Sequence, residues 1–484
     1  MKLLSTIAAI ALCAAGSAQT YHVIGFGLLG EGATGINDAG QVCGFLGFEG
    51  TTTAAYRYDS STSMFNNLGS LYGQGAAALG LDAYGDVVGV SGTADGNSVD
   101  AFLYANGQMT DIGLQFSRTF SKATGINSSG FIVGEAGFGS EVHAFLYSVW
   151  GILDLGMLPG GTSSEAYAIN SAGQVVGDGG GEAFITTPTY GLQPLGNFPG
   201  GHGSIAYGIN DNGLVVGNGY RSDGYRDAFL WSGGPLIDLG RKPGDDASWA
   251  YAINRSGLIV GASENYSRRI PANGCTWTNG LLQDLTSLLD SSGSGLTILY
   301  GVSVNSNGQI AGTAVETNGT DGETHGVLLT PNPVDVPTAY TIFRGQYFSG
   351  SLSSLATIDS DYLKILAGPT LNTTEAPVSV ILTGTSSIAN PSDLRFALTS
   401  HTNTPNIAQT IELWDYTASA WVQVGTQAAA THDTIQVATA TNPGRFVQAT
   451  TNAVKARVSW EQTGPTLIYQ WAAYINQTAW WVAA

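Results

Sequence analysis

The sequence predicts an all-β chain: a seven-bladed β-propeller over residues 19–333, closed by its own N-terminal strand, followed by a β-sandwich over residues 334–484. Three observations carry that prediction. A short anchor motif recurs seven times at a nearly constant period, no stretch from 20 to 333 shows sustained helical periodicity, and each end of the repeat array holds one unmatched piece.

The anchor is an apolar residue, then Asn or Asp, two residues, and Gly. Its dipeptides are Ile36-Asn37, Leu81-Asp82, Ile126-Asn127, Ile169-Asn170, Ile209-Asn210, Ile253-Asn254 and Val304-Asn305, separated by 45, 45, 43, 40, 44 and 51 residues. A four-stranded propeller blade takes about 40 to 45 residues. Copy five shows the internal plan: Ala206–Asn210, a turn ending at Gly213, then Leu214–Gly217, Asp227–Trp231 and Leu236–Gly240. Short β-branched and aromatic runs bounded by glycine read as strands, and an Asn side chain at the first turn can cap the backbone ahead of it. Copy seven has three such strands, ending at His325–Leu329, and then meets Pro331 and Pro333 where its fourth should stand. Tyr21–Gly25 stands alone before copy one. Pairing these two remnants would close the ring and remove the exposed sheet edges of an open array.

The pieces Ile-Asn-x-x-Gly-x-Val-Val-Gly, His143-Ala144-Phe145-Leu146, Asp154-Leu155-Gly156 and Pro159-Gly160-Gly161 resemble the HAF repeats of bacterial extracellular proteins. The resemblance covers roughly two thirds of the chain and implies export and a repeat scaffold; it brings no catalytic residues with it. The name-giving His is replaced by Asp100, Glu182 and Asp227 in other copies, and Cys275 is aligned there in copy six.

Before the repeats, Lys2, the apolar run Leu3–Ala15 and the small residues Gly16-Ser17-Ala18 read as a secretory signal peptide over residues 1–18, too short for a membrane span. A secreted or cell-surface protein without a transmembrane segment is therefore expected. Composition agrees, with 67 Gly, 11% charged residues and a formal net charge of −19. Such an acidic chain is not expected to bind nucleic acid or an anionic membrane. Cys43 and Cys275 fall in copies that are not neighbours in a seven-membered ring, and read as buried small hydrophobes rather than a disulfide. No cofactor is implied, and a monomer is expected.

From residue 334 the repeat is gone. Thr410–Tyr416 and Trp421–Val424 read as a hairpin with alternating faces, and Val378–Leu382, Leu394–Leu398, Phe446–Ala449 and Ala456–Trp460 as further strands. Six of the ten Trp lie here, Trp414, Trp421, Trp460, Trp471, Trp480 and Trp481, and are expected mainly in a core.

Candidate ligand chemistry concentrates in copies four to six. Loops joining second to third strands vary in length, and variable loops on a rigid scaffold are where binding sites arise. Of ten Lys and Arg in residues 19–333, seven lie between 221 and 269: Arg221, Arg226, Arg241, Lys242, Arg255, Arg268 and Arg269. The planar Arg fork suits a carboxylate or sulfate, whereas the plainer reading is local neutralisation of Asp223, Asp227, Asp245, Asp246 and Glu264. Tyr167, Tyr207 and Tyr251 hold one first-strand position in successive copies, with Trp249 and Tyr266 nearby, as an aromatic platform or as packing between blades. His202, in a Pro-Gly-Gly-His-Gly loop, is the least repeat-bound His and a candidate ligand or base; His143 and His325 read as structural. An acidic loop with Glu316, Asp321 and Glu323 lacks the regular oxygen spacing of a Ca²⁺ site, so no metal is expected. Two functions follow: a binding or adhesion scaffold for an acidic polysaccharide or envelope component, or a polysaccharide lyase or hydrolase using His202 or Tyr207 as base and Arg221 or Arg226 against a uronate. No distinctive spacing of catalytic residues favours the second.

Overall fold

A computed structural model describes residues 19–26, 32–46, 53–113, 120–187, 189–265, 267, 272–278, 280–316, 324–332, 334–335, 337–355, 362–368, 376–431, 433–463 and 471–483. Strands and short 3-10 turns make up the regular structure of these residues. None of their helices is long and apolar enough to cross a membrane. The chain divides into two compact units, Val23–Thr330 and a second that begins at Pro331 and also takes in Gln19–His22.

In Val23–Thr330 copies one to six each form four antiparallel strands paired in sequence order. Copy five runs Ser204–Ile209, Val215–Tyr220, Arg226–Trp231 and Ile237–Gly240. A single parallel bridge, Arg226 to Ala247, joins it to the sheet of copy six. In copy seven the strands Leu296–Val304, Ile310–Glu316 and Thr324–Pro331 are completed by Tyr21–Gly25, which pairs with Thr324–Pro331. The apolar clusters lie between consecutive sheets: Val133, Ala144 and Leu146 of copy three pack with Ala166, Val175 and Phe184 of copy four.

The anchor Asn does more than cap its turn. Asn210 Oδ1 accepts from the backbone N–H of Asn212 and Leu214, while its Nδ2 donates to the backbone oxygen of Asn254 in the next copy. The same step runs from Asn127 to Asn170, Asn170 to Asn210, Asn254 to Asn305, and Asn305 to Asn37, where the circuit returns to copy one and passes on to Asp82. Asp82 keeps the turn-capping bonds to Tyr84 and Asp86 but has no amide hydrogen to hand on. A second stitch joins the opposite strand ends. The hydroxyls of Ser164, Ser204 and Ser248 each accept from the N–H of the Ala in the preceding copy's third strand and donate to a Gly at or just past the end of its fourth.

Each first strand also carries a bulge, at Thr34, Leu79, Thr124, Tyr167, Tyr207 and Tyr251 in copies one to six. It brings the first-strand backbone onto the second-strand Gly of Val-Val-Gly. A Cβ on Gly217 would lie 1.9 Å from the Ile205 oxygen, and one on Gly261 1.8 Å from that of Trp249. Only glycine permits that approach.

The strand register corrects one alignment. Phe229 faces Gly217 and Asp227 faces Gly219 in copy five, whereas in copy six Cys275 faces Gly261 and Asn273 faces Ser263. Asn273, not Cys275, therefore occupies the His position, because copy six has lost the Ala-Phe pair that sets the alignment. Cys43 and Cys275 are both free and buried.

The second unit holds two antiparallel sheets. One has the order Ala339–Arg344, Val378–Thr385, Ala453–Gln462, Ile407–Asp415 and Ala420–Ala428; the other has Gln346–Ser349, Leu363–Leu366, Ala472–Ala483, Asp393–Thr402 and Thr434–Thr439, with Val334–Asp335 against the long strand. Both sheets contribute to one core that contains Val380, Leu413, Val458 and Trp460 from the first and Ile365, Phe396, Ile475 and Trp480 from the second. Trp471 is buried as well, and Trp414 and Trp421 meet edge to face at 5.2 Å. The side chain of Trp481 lies outside the described residues.

Candidate binding site

Asp227 organises the cations of copies five and six. It opens the third strand of copy five and is fully buried, so its carboxylate must be compensated by partners rather than by water. Arg241 donates to both of its oxygens, at 2.6 and 2.7 Å, and Arg221 adds a bond of 3.1 Å while also reaching Asp238. Lys242 pairs with Asp284. Three charges of the sequence patch are thus committed to local carboxylates.

Arg226 behaves differently. As Asp227's strand neighbour it leaves the other face of the sheet. Its guanidinium lies 4.3 Å from the centre of the Tyr220 ring and donates to that residue's hydroxyl. Among the described residues no carboxylate comes within ion-pair distance of it. His202, exposed, stacks on the same Tyr220 at 4.9 Å with the rings 2° from parallel.

These groups border a cavity of about 500 Å³ between copies five and six, lined by Tyr220, Asp223, Tyr225, Arg226, Asp246, Trp249 and Ser267. Tyr225 lies under the Arg241 guanidinium, 4.3 Å from it, and remains substantially exposed. Asp246 accepts from the backbone and hydroxyl of Ser267, and Asp223 accepts from the Tyr225 N–H. The walls are therefore aromatic, the acids are held by hydrogen bonds, and one cation, Arg226, has no carboxylate partner among the described residues.

Beside this cavity the tyrosines form a row. Ring centres of Tyr167 and Tyr207 are 5.4 Å apart, those of Tyr207 and Tyr251 5.6 Å, and Tyr300 extends the row at 6.4 Å. Tyr300 is invisible to alignment from the anchor, which matches Val302 instead, because copy seven has a second bulge between Ile298 and Tyr300. Burial pushes the Tyr207 phenol up, against the opposing pull of the Arg226 charge, and so keeps it protonated rather than available as a base.

At the far end of the row an acidic group gathers across copies three and four. Tyr167 donates to Glu165 at 2.7 Å, and Lys122 reaches Glu135 at 3.4 Å. Burial raises the Glu135 carboxyl, the adjacent Glu165 charge adds to this, and Lys122 only partly offsets it. Asp178 is raised by burial and again by Glu165.

Of the residues singled out by sequence, Arg226 and Trp249 line the cavity, and His202, Arg221 and Arg241 contact residues that line it. Tyr167, Tyr207 and Tyr251 form the adjoining row. Arg268, Arg269 and Tyr266 lie outside the described residues, as do Asp321 and Glu323 of the acidic loop. Sequence reasoning passed over Tyr220 and Tyr225, whose only signal is that they flank the Arg-Ser-Asp-Gly loop of copy five.

No protein-family model matches the chain, and no curated protein does either. Among solved structures it is similar to TolB from Acinetobacter baumannii, with 16% identity over 42% of this chain, 55% of that one and a TM-score of 0.31. It is similar also to the β-propeller domain of the Trilobed protease from Pyrococcus furiosus, at 12% identity over 52% of this chain and 82% of that one, with a TM-score of 0.38. A carbohydrate-binding module, TmCBM61 in complex with β-1,4-galactotriose, matches 31% of the chain and 88% of its own at 12% identity and a TM-score of 0.20. The chain spans about half the length of TolB.

Proposed function

We propose that the protein is a secreted HAF-repeat scaffold, a seven-bladed β-propeller closed by its N-terminal strand and followed by a β-sandwich, that binds an acidic saccharide in the cavity of copies five and six. One observation carries the binding reading: Arg226 stands in an aromatic-walled cavity with no carboxylate partner among the described residues, while Arg221, Arg241 and Lys242 around it are neutralised. A guanidinium held against the Tyr220 ring and hydroxyl offers its remaining N–H groups to a ligand oxyanion, and Tyr225 and Trp249 offer faces to an apolar sugar surface. The signal-like residues 1–18 support export, and the propeller reading rests on four antiparallel strands per copy and the Asn circuit that returns to copy one.

The test is binding of acidic oligosaccharides by calorimetry at two salt concentrations. Arg226→Ala is expected to weaken binding about tenfold or more, the loss of a charge-assisted hydrogen bond. Arg255→Ala, outside the cavity, should leave it intact. Equal affinity of Arg226→Ala and the parent protein would sink the proposal.

A hydrolytic or lyase activity has one observation in its favour, the Glu135 carboxyl raised beside Glu165 at the end of the tyrosine row, where it could serve as a proton donor. Shortened or unsaturated products in mass spectra of the bound saccharide, abolished by Glu135→Gln, would establish it.

A further inference from the structure

The second unit carries another cation without a carboxylate partner among the described residues. On three neighbouring strands of its larger sheet, Lys364 stands opposite Tyr474 and Tyr474 opposite His401. Their strand neighbours Leu363, Ile365, Ala473 and Ile475 belong to the core, and Ser400 and Thr402 are buried, so alternation turns Lys364, Tyr474 and His401 to the outer face. Lys364 Nζ lies 4.4 Å from the Phe348 ring centre and 4.9 Å from that of Tyr474. His401 stacks on Tyr474 at 4.5 Å, 7° from parallel, and Tyr362 meets both rings edge-on at 5.3 and 5.8 Å.

Asp433 fixes this arrangement. One of its oxygens pairs with His401 Nδ1 at 2.7 Å; the other accepts from Tyr362 at 3.0 Å and from the fully buried Asn476 at 2.9 Å. Its charge is thereby spent on three donors that hold the rings in place. Lys364, by contrast, has no carboxylate within ion-pair distance among the described residues, although an ammonium at a protein surface with an acid in reach ordinarily pairs with it. Arg395, Arg445 and Arg457 in the same unit all do so, with Asp393, Asp415 and Glu412. Phe348, at the open end of the row, is 58% exposed, and Tyr347 beside it 52%.

We propose that this outer face is a second binding site for an acidic saccharide, whose carboxylate or sulfate meets Lys364 while its apolar ring face lies on Phe348 and the edge of Tyr474. Two aromatic rings keep the ammonium in place and away from carboxylates, so its three N–H donors remain available to an oxyanion. The choice of an acidic partner follows from charge: on a chain of formal net charge −19, a cation held by aromatic rings attracts an anion that the rest of the surface repels. The site is independent of the cavity in copies five and six and would stand if that cavity bound nothing.

The experiment uses the whole mature chain with Arg226→Ala, so that the first cavity is silent. Calorimetric titrations are made with trigalacturonate as the carboxylate probe, a sulfated galactose trisaccharide as the sulfate probe and maltotriose as the neutral one. At least one acidic probe should bind and maltotriose much less; which acidic probe binds decides between carboxylate and sulfate. Lys364→Gln should weaken that binding about tenfold, and Lys364→Arg should keep it within about threefold. Lys455→Gln, on the other sheet, should change nothing. Phe348→Ser, at an exposed position that does not threaten the fold, should weaken binding about fivefold through loss of its ring face. Failure of both acidic probes to bind, or Lys364→Gln and Phe348→Ser binding as the parent does, would overturn the proposal.

Discussion

The two ends of the first strands in each repeat sheet make an instructive contrast. At the anchor end, six of seven copies place an Asn whose amide crosses to the next copy, and the chemistry hardly varies. At the other end, one register position holds a different pair in each copy: Ala77 with Val90, Lys122 with Glu135, Glu165 with Asp178, Ile205 with Asn218, Trp249 with Ala262. The first end must present the same donor to the same carbonyl every time, because an unsatisfied buried backbone group is costly. The second carries no such obligation, and there the chain varies its charge and its aromatics. Repetition therefore marks scaffold, and departure from it marks candidate chemistry.

Changes at the scaffold end and where Tyr21–Gly25 completes the copy-seven sheet should alter stability, and changes at the variable end should alter binding alone. The largest effect is expected from deleting Tyr21–Gly25, which removes the fourth strand of the copy-seven sheet with its buried Tyr21 and Val23 and bares a sheet edge. A fall in melting temperature of more than about 10 °C is expected in calorimetry. Gly217→Ala, which drives a Cβ against the Ile205 carbonyl, should destabilise by about 3 kcal/mol or more in urea titration. Asn210→Ala loses the bond to Asn254 and two turn bonds, and about 2–4 kcal/mol is expected by the same measurement. Asp82→Asn reverses the sign: it keeps the Oδ1 acceptor, supplies the missing amide hydrogen toward copy three and relieves the charge beside Asp86. A gain of about 0.5–1 kcal/mol is expected. Arg226→Ala closes the series. It should leave the melting temperature nearly unchanged, within about 0.5 kcal/mol, while saccharide binding falls. A large loss of stability there would erase the contrast between the two ends.

Much of the repeat unit was legible because its anchor is short, contiguous and rigid in spacing: the Ile-Asn dipeptides locate each first strand, and copy five's four strands lie within a few residues of their expected bounds. Features that depend on register were not legible. A bulge adds a residue without leaving a composition signal, so Tyr300 was missed, and Cys275 was placed where Asn273 stands because copy six lacks the Ala-Phe pair that marks the register. The serine stitch recurs at Ser164, Ser204 and Ser248, but serine is too common in strand-edge turns to announce it. Contacts between copies were the hardest to read. Glu135 and Glu165 belong to different sheets and meet only because one sheet packs on the next, and the aromatic row of the second unit unites Phe348, Lys364, Tyr474 and His401 from four strands. The sequence cations could be counted, but which of them were already paired depended on Asp227, whose burial no linear pattern reveals.

The closing strand also orders events in time. Phe26 donates its backbone N–H to Gly326, and Thr20 and Asn332, 312 residues apart, are joined by side chain and backbone. The strand synthesised first is therefore paired last, after every intervening copy has been made. Contacts so distant along the chain slow folding, because loop closure must precede their reward. Until Thr324–Pro331 emerges, the growing molecule has two unpaired sheet edges and can capture a strand from a neighbour as readily as its own. Refolding yield that falls steeply with protein concentration, and recovers when Tyr21–Gly25 is cross-linked to Thr324–Pro331, is the kinetic signature this topology imposes.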